Sequence, residues 1–474
     1  MSDESTTTTT AGTGDEPALR RSIGRKVLLL FVVGDILGAG IYALTGKVAA
    51  EVGGMVWLPF VCAFVLATLT ATAYAELVAR YPKAAGAALY AHRAFRRPFL
   101  TFLVAFAVMM SGVTSASAAA RAFGGDYLAE FVTVPTLVAA WFFLLVITGV
   151  NLLGISESVR VNVVLTIVEA TGLLVILAIG AWALVQGDGD PSRAFVLETD
   201  GTPWVAVLGA TALAFYALLG FEDSVNLAEE CRAPRRDFPR ALFGGLAVAG
   251  VVYVGVAFTS AMLVETDVLA ESTGPLLEVV KVAGLAFPPG LFAVIALLAV
   301  SNTALINMLM ASRLVYGMSR EGIVPGVLGR VGHRQTPYVA IAFTVVVALT
   351  LVSTGDLAGL ADTTVLLLLL VFATVNVSVL VLRRHPDDAE DDSGDDAGSA
   401  DGTDDRRRST FRAPTWAPVA GAVVSLVLAS PLTGRDPAVY LRAGVLLAIG
   451  VVLYVVNRAV VARSGAEAGD ASRV

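Results

Sequence analysis

Gly34-Asp35-Ile36-Leu37-Gly38-Ala39-Gly40-Ile41-Tyr42 lies inside the first long apolar run of the chain, Lys26 to Thr45. The run is long enough to cross a bilayer, which takes about 20 residues. Glycines at 34, 38 and 40 let another group approach the backbone and lower the cost of leaving helical geometry. Unwound backbone at membrane depth is tolerated only where it is buried in protein or lines a cavity. The amides freed on the Ile41 side face the positive end of a half-helix and suit an anionic group such as a carboxylate. Gly34-x-x-x-Gly38 also fits plain close packing of two helices, so this stretch alone leaves both readings open.

A second interruption tips the balance. The run from Trp204 to Glu229 contains Phe215-Tyr216-Ala217-Leu218-Leu219-Gly220-Phe221-Glu222-Asp223. A carboxylate near mid-membrane costs about 2.5–3.5 kcal/mol on insertion scales, so it normally faces a cavity, a partner or an ion. The two interrupted runs are the first and sixth of the chain, the separation that a five-plus-five inverted repeat produces. Paired broken helices at corresponding places point to the midplane site of a transporter.

The remaining runs agree with that layout. Of 474 residues, 56% are apolar and 15% charged, against about 45–50% and 25% in soluble domains. After Lys26 to Thr45 come Trp57 to Ala79, Pro98 to Phe123, Pro135 to Leu153, Val159 to Gln186, Trp204 to Glu229 and Phe238 to Val264. Pro289 to Tyr316, Thr336 to Thr354, Leu360 to Leu382, Pro414 to Leu432 and Tyr440 to Val461 complete the set. The fold class expected is an all-α polytopic membrane protein of about 12 transmembrane helices, broken in helices 1 and 6, with two further C-terminal helices. Apart from Arg313, inside the eighth run, the Lys and Arg residues divide 26 to 6 between the two sides. By the positive-inside rule both termini are then cytoplasmic.

The expected organisation is a disordered cytoplasmic tail over 1–22, a transport core over 23–384, an acidic linker over 385–413, two helices over 414–463 and a tail over 464–474. The stretch 387–405 is too acidic to build a core and reads as a solvated tether. The tail carries no basic n-region or apolar h-region, so it does not read as a cleaved signal. A net charge of −7 with 29 Arg and 4 Lys suits a surface kept hydrated in concentrated salt, and a halophilic host is expected from it. Basic residues outside the loops form no stripe, so no nucleic-acid partner is expected.

Several polar residues have structural readings of their own. Glu76, four residues before Arg80, is expected to pair with it. Glu229, Glu230, Arg232, Arg235 and Arg236 read as a charge cluster, and Arg313 as a snorkelling side chain. Pro82 to Pro98 reads as an interfacial helix. His92, His333 and His385 are far apart, and no HExxH, Walker A or nucleophile-elbow pattern is present. Two cysteines, Cys62 and Cys231, offer no metal set. Neither an enzyme nor a bound cofactor or metal is expected.

The chain resembles the amino acid–polyamine–organocation transporter superfamily. The resemblance is carried by Gly38 to Tyr42, Tyr74-Ala75-Glu76-Leu77, Tyr81-Pro82, Gly86 to Tyr90, Phe221-Glu222, Ala228-Glu229-Glu230 and Pro234 to Pro239. Ser312-Arg313-Leu314-Val315-Tyr316, Glu321-Gly322 and Pro325 carry it past the end of the eighth span, and the match as a whole covers spans one to ten. It implies an amino acid permease in the plasma membrane. By position it implies that backbone at Gly38, Ala39, Gly40 and Ile41 holds a substrate carboxylate, and carbonyls around Phe215, Ala217 and Leu218 its ammonium. Tyr216, Leu219 and Glu222 would contact or gate the substrate. Ile36, Ala39 and Leu219 make the pocket apolar, whereas Asp35, Glu222 and Asp223 suit a cationic side chain. The resemblance implies that some proton-coupled members of the superfamily carry a lysine at the place of Glu169, so their mechanism does not carry over unchanged. Glu169 can carry a proton, or bind a sodium ion with Gly34, Leu37, Ser301 and Thr303. Asp35 is a further coupling candidate, and a structural hydrogen bond at Glu169 is the plain alternative.

Overall fold

The computed structural model describes residues 23–82, 86–153, 155–199, 201–284, 287–332, 336–384 and 411–471, with side chains except at 155–163 and 461–471. The tail expected over 1–22, most of the acidic linker, His333 and His385 lie outside these residues.

The first apolar run is two helices, α1 (Arg25–Ile36) and α2 (Ala39–Val52), bent by 41° at Leu37 and Gly38. The chain continues through α3 (Trp57–Arg80), α4 (Gly86–Phe95), α5 (Pro98–Phe123), α6 (Asp126–Ala129), α7 (Thr136–Leu153) and α8 (Ile155–Gln186). Then follow α9 (Pro203–Ala217), α10 (Pro234–Leu263), α11 (Thr266–Glu271), α12 (Pro275–Val282) and α13 (Pro289–Arg320). The last are α14 (Tyr338–Thr354), α15 (Leu357–Arg384), α16 (Trp416–Ala429) and α17 (Pro437–Ala471). Proline opens α5, α9, α10, α12 and α13, where its missing N–H has no helical partner to lose.

Among the described residues eight helices are long and apolar enough to cross a bilayer, and the bent α1–α2 pair makes a ninth. At the three other places where spans were expected stand shorter apolar helices, α9, α14 and α16. Even α14, with 17 residues, covers only about 26 Å at 1.5 Å per residue. α9 is short for a stated reason: the helix stops at Ala217, and Asp223–Glu230 resumes as a 3-10 helix instead of the expected half of span six. Residues 265–288, read from sequence as a loop, contain α11 and α12.

The helices pack in two groups. α1, α2, α3, α9 and α10 contact one another, as do α5, α7, α8, α13, α14 and α15. Numbered as spans, contacts repeat when five is added: spans one and seven touch through α1 and α10, and so do six and two through α9 and α3. Span five meets span eight through α8 and α13, and span ten meets span three through α15 and α5. That correspondence is what a five-plus-five repeat requires. α16 and α17 lie outside it, against α3, α5 and α15.

One buried polar cluster sits where α3 and α15 end. Glu76, 1% exposed, pairs with Arg80 at 3.3 Å as expected. It also takes both arms of Arg383, with Nε at 2.8 Å from Oε1, and the backbone N–H of Ala413 at 2.9 Å. Removing one member of a buried ion pair costs about 3–5 kcal/mol, whereas a partly exposed pair contributes about 0–1. Glu76→Ala is therefore expected to lower unfolding stability in detergent much more than Arg80→Gln. Equal losses in a thermal-shift comparison would contradict this reading.

Candidate functional site

α1 ends because Leu37 donates the last helical hydrogen bond, to Val33 O, and Gly38 is extended at φ −118°. The break is held by neighbours. Tyr253, fully buried on α10, donates from its hydroxyl to Ile36 O at 2.6 Å and accepts from Gly38 N–H at 3.3 Å. Thr303 Oγ1, on α13, accepts from Ala39 N–H at 2.8 Å. The next amides, of Gly40 and Ile41, belong to the first turn of α2 and have no carbonyl four residues back within that helix.

The second break is pressed onto the first. A Cβ at Gly40 would lie 2.8 Å from Ala217 Cβ and closer still to its Cα. One at Gly220 would meet Asp35 O at 2.5 Å. Gly220 has φ +116°, a conformation that side chains disfavour, and its N–H donates to Glu222 Oε2 at 2.9 Å. Leu218 N–H returns to Phe215 O and Leu219 N–H to Tyr216 O. Among the described residues the carbonyl of Ala217 accepts no backbone hydrogen bond from those that follow it. Behind the break Phe221 packs on Phe372 at 5.5 Å and edge-on to Tyr74 at 6.1 Å.

Between the breaks lies a cavity of about 130 Å³. Gly34 to Gly40 line it from span one, and Tyr216, Ala217, Leu219, Gly220, Glu222 and Asp223 from span six. Thr303 and Asn307 close it from α13, Ser111, Gly112 and Ser115 from α5, and Thr364 from α15. It extends to Gly86 on α4 and to Asn226 on the 3-10 helix. Tyr216 joins the two helix groups across it, its hydroxyl 2.9 Å from Ser115 Oγ and 3.2 Å from Ser115 O. Asp35 Oδ2 is buried without a hydrogen-bond partner among the described residues.

Of the residues singled out from sequence, Gly34, Asp35, Ile36, Leu37, Gly38, Ala39, Gly40, Tyr216, Ala217, Leu219, Glu222 and Thr303 line this cavity. Ile41, Phe215 and Leu218 do not. Phe215 packs instead on Phe372, 5.9 Å between ring centres, and its carbonyl is engaged by Leu218. Ser301 is also outside the lining, its hydroxyl donating to Leu297 O of its own helix at 2.7 Å.

Glu169 lies behind the cavity wall, fully buried. Asn302 Nδ2 approaches its Oε2 at 3.4 Å and Thr166 Oγ1 at 3.2 Å. Tyr42 donates to the backbone carbonyl of Glu169 at 2.7 Å. Glu169 Oε1 has no partner among the described residues. Asn302, Asn307, Tyr253 and Ser115 were not foreseen. A lone Tyr or Ser on an apolar span reads as core, and only spatial proximity to the Gly34–Tyr42 break marks Tyr253. Among the described residues no group of three or more His, Cys, Asp or Glu could hold a metal ion.

Comparison with known proteins adds independent support. The chain is 29% identical over 337 residues to cationic amino acid transporter 9 of Arabidopsis thaliana, a chloroplastic protein. That alignment covers 66% of this chain and 58% of the plant protein. It is 28% identical over 400 residues to the branched-chain amino acid permease BcaP of Bacillus subtilis, covering 80% of this chain and 84% of the permease. A methylthioribose transporter of Bacillus subtilis is 26% identical over 391 residues, covering 78% and 83%. The family model described as amino acid permease matches residues 23–456, which include both breaks and every cavity-lining residue. The chain therefore belongs to the amino acid permease family.

Proposed function

We propose that this chain is a secondary transporter that moves amino acids across the cell membrane by alternating access. The observation that carries the reading is the apposition of the two breaks around one cavity. The first-turn amides of α2 lie on one side and the uncommitted Ala217 carbonyl on the other. Half-helix N-termini suit anions and freed carbonyls suit cations, so the pair is complementary to an amino acid zwitterion. With the Arg-rich loops in the cytoplasm, the cavity faces inward, toward α4.

Asp35, Glu222 and Asp223 line the cavity together, which supports a substrate with a cationic side chain. The similar plant transporter is named for cationic amino acids and the similar Bacillus permease for branched-chain ones. Purified protein in proteoliposomes is expected to accumulate labelled amino acid, with lysine or arginine the strongest competitors in a panel of amino acids and polyamines. Saturable binding without accumulation would mark a sensor of the same fold instead.

Tyr216 is proposed to close over substrate, because its hydroxyl spans from span six to Ser115. Tyr216→Ala is expected to weaken substrate affinity by about tenfold, the loss of roughly one hydrogen bond plus ring contact. Expression and insertion should be unchanged. Wild-type affinity and turnover would refute the role.

Coupling is proposed to run through a proton at Glu169. A fully buried acid with one unpartnered oxygen suits a proton-carrying group. The oxygen set considered for sodium is less well gathered, since Ser301 bonds its own helix and Thr303 Oγ1 serves Ala39.

A further inference from the structure

The face opposite α4 is closed by a compact polar joint that shares no residue with the cavity. α5 stops at Phe123, and α6 begins one short turn later at Asp126. Asp126 Oδ2 accepts from Ser272 Oγ at 2.9 Å, Thr273 N–H at 2.7 Å and Gly274 N–H at 3.2 Å. In return Asp126 N–H donates to Thr273 Oγ1 at 2.9 Å. The three donors are the residues that lead into α12, so the carboxylate stands at the positive end of that helix.

The same stretch holds the other end of α12. Lys281 Nζ lies 3.7 Å from Glu130 Oε2 and 3.2 Å from Glu278 Oε1. Between Asp126 and Glu130, the fully buried Tyr127 donates to Tyr42 O of α2 at 2.7 Å. α2 is itself tied to α11, with Lys47 Nζ 3.0 Å from Ala270 O.

Two features distinguish this joint from ordinary packing. The elements joined belong to different helix groups, since α2 is part of span one and α6 continues α5. None of residues 126–130 or 266–282 lines the cavity, which runs to α4 instead. The joint therefore lies on the side where the cavity is shut. Hydrogen bonds to an ionised acceptor are about twice as strong as neutral ones, and here three converge on one oxygen. A closure concentrated in one carboxylate can be released as a unit.

We infer that Asp126 is the key of a latch that shuts the face opposite α4, and that it releases the Ser272–Gly274 corner whenever the cavity opens there. The inference rests on the alternating-access reading above. Surface charge at Lys281 contributes less, because exposed ion pairs are worth about 0–1 kcal/mol.

The test uses the full chain in proteoliposomes, with Cys62 and Cys231 replaced by alanine. Asp126→Cys and Thr273→Cys are introduced together and oxidised. Once the disulfide forms, substrate exchange is expected to fall to background and to return on reduction. Oxidised protein that exchanges at the reduced rate overturns the latch. A second measurement does not depend on that double variant. Ser111→Cys places a thiol in the cavity, at a hydroxyl that bonds only its own helix, to Val108 O. With Asp126→Ala added, labelling by an impermeant maleimide applied at the face opposite α4 is expected to rise about tenfold as the open population grows. Labelling from the α4 face should fall. An unchanged ratio between the two faces overturns the inference. Absence of exchange in the unmodified protein overturns the transport reading itself, and is told apart because it precedes oxidation.

Discussion

Gly40→Val is expected to reduce uptake to background in a protein that still inserts and runs as a single species in detergent. At this position span one and span six touch backbone to backbone. A Cβ would meet the Cα of Ala217, its Cβ at 2.8 Å and its N at 3.0 Å. Only backbone can yield, so the two breaks are pushed apart. Overpacking of this kind costs about 1–3 kcal/mol, too little to unfold a large helical bundle. Misplacing a positioned site by about 1 Å costs about 100-fold, and that is the minimum loss expected. The structure makes the steric partner Ala217. Gly40→Ala combined with Ala217→Gly is therefore expected to remain impaired, because the Ala217 Cα is still in the way. Uptake normalised to inserted protein checks both variants, and wild-type uptake by Gly40→Val would remove the site from this place.

Glu169→Gln is expected to abolish accumulation against a gradient while substrate exchange across the vesicle survives. The side chain is enclosed between α8, α13 and the start of α2, with Asn302 at one oxygen and no partner at the other among the described residues. Glutamine keeps the size and an oxygen for Asn302 but can neither take up nor release a proton. Substrate binding should persist, because Glu169 lies outside the cavity lining. Internal substrate in the mutant should then never exceed the external concentration under an imposed proton gradient. A variant that accumulates substrate with unaltered pH dependence would show that coupling runs elsewhere. A purely structural role would instead lower exchange and accumulation together.

Much of this architecture is legible in the chain, and the illegible part has identifiable causes. The break after Ile36 falls within the glycine-rich stretch, and α5 covers the expected residues because Pro98 and Gly124 bound it. Long apolar runs are visible because a bilayer demands them. α6, α11 and α12 are short and mixed in polarity, so no membrane-length window detects them. Whether Phe215 or Tyr216 faces the cavity depends on the rotation of α9 about its axis. α9 is apolar all round, and periodicity carries no signal there. Glu76 displays the same boundary. Arg80 is one helical turn away and was foreseen, whereas Arg383 is 307 positions distant and emerges only from packing.

That carboxylate has a topological consequence. Arg383, at the end of α15, and Ala413, before α16, both bond Glu76, and Arg383 Nη2 donates to Ala413 O at 2.6 Å. The chain thus leaves the membrane bundle and returns to it at one point. The two described ends, Arg383 and Ala413, are thus fixed beside each other, so the cost of joining them grows only slowly with the length of the segment between. Each doubling of a loop adds only about 0.6 kcal/mol of closure entropy. This is a natural insertion port. A fluorescent or affinity domain spliced between 390 and 400 is expected to leave uptake per inserted protein unchanged.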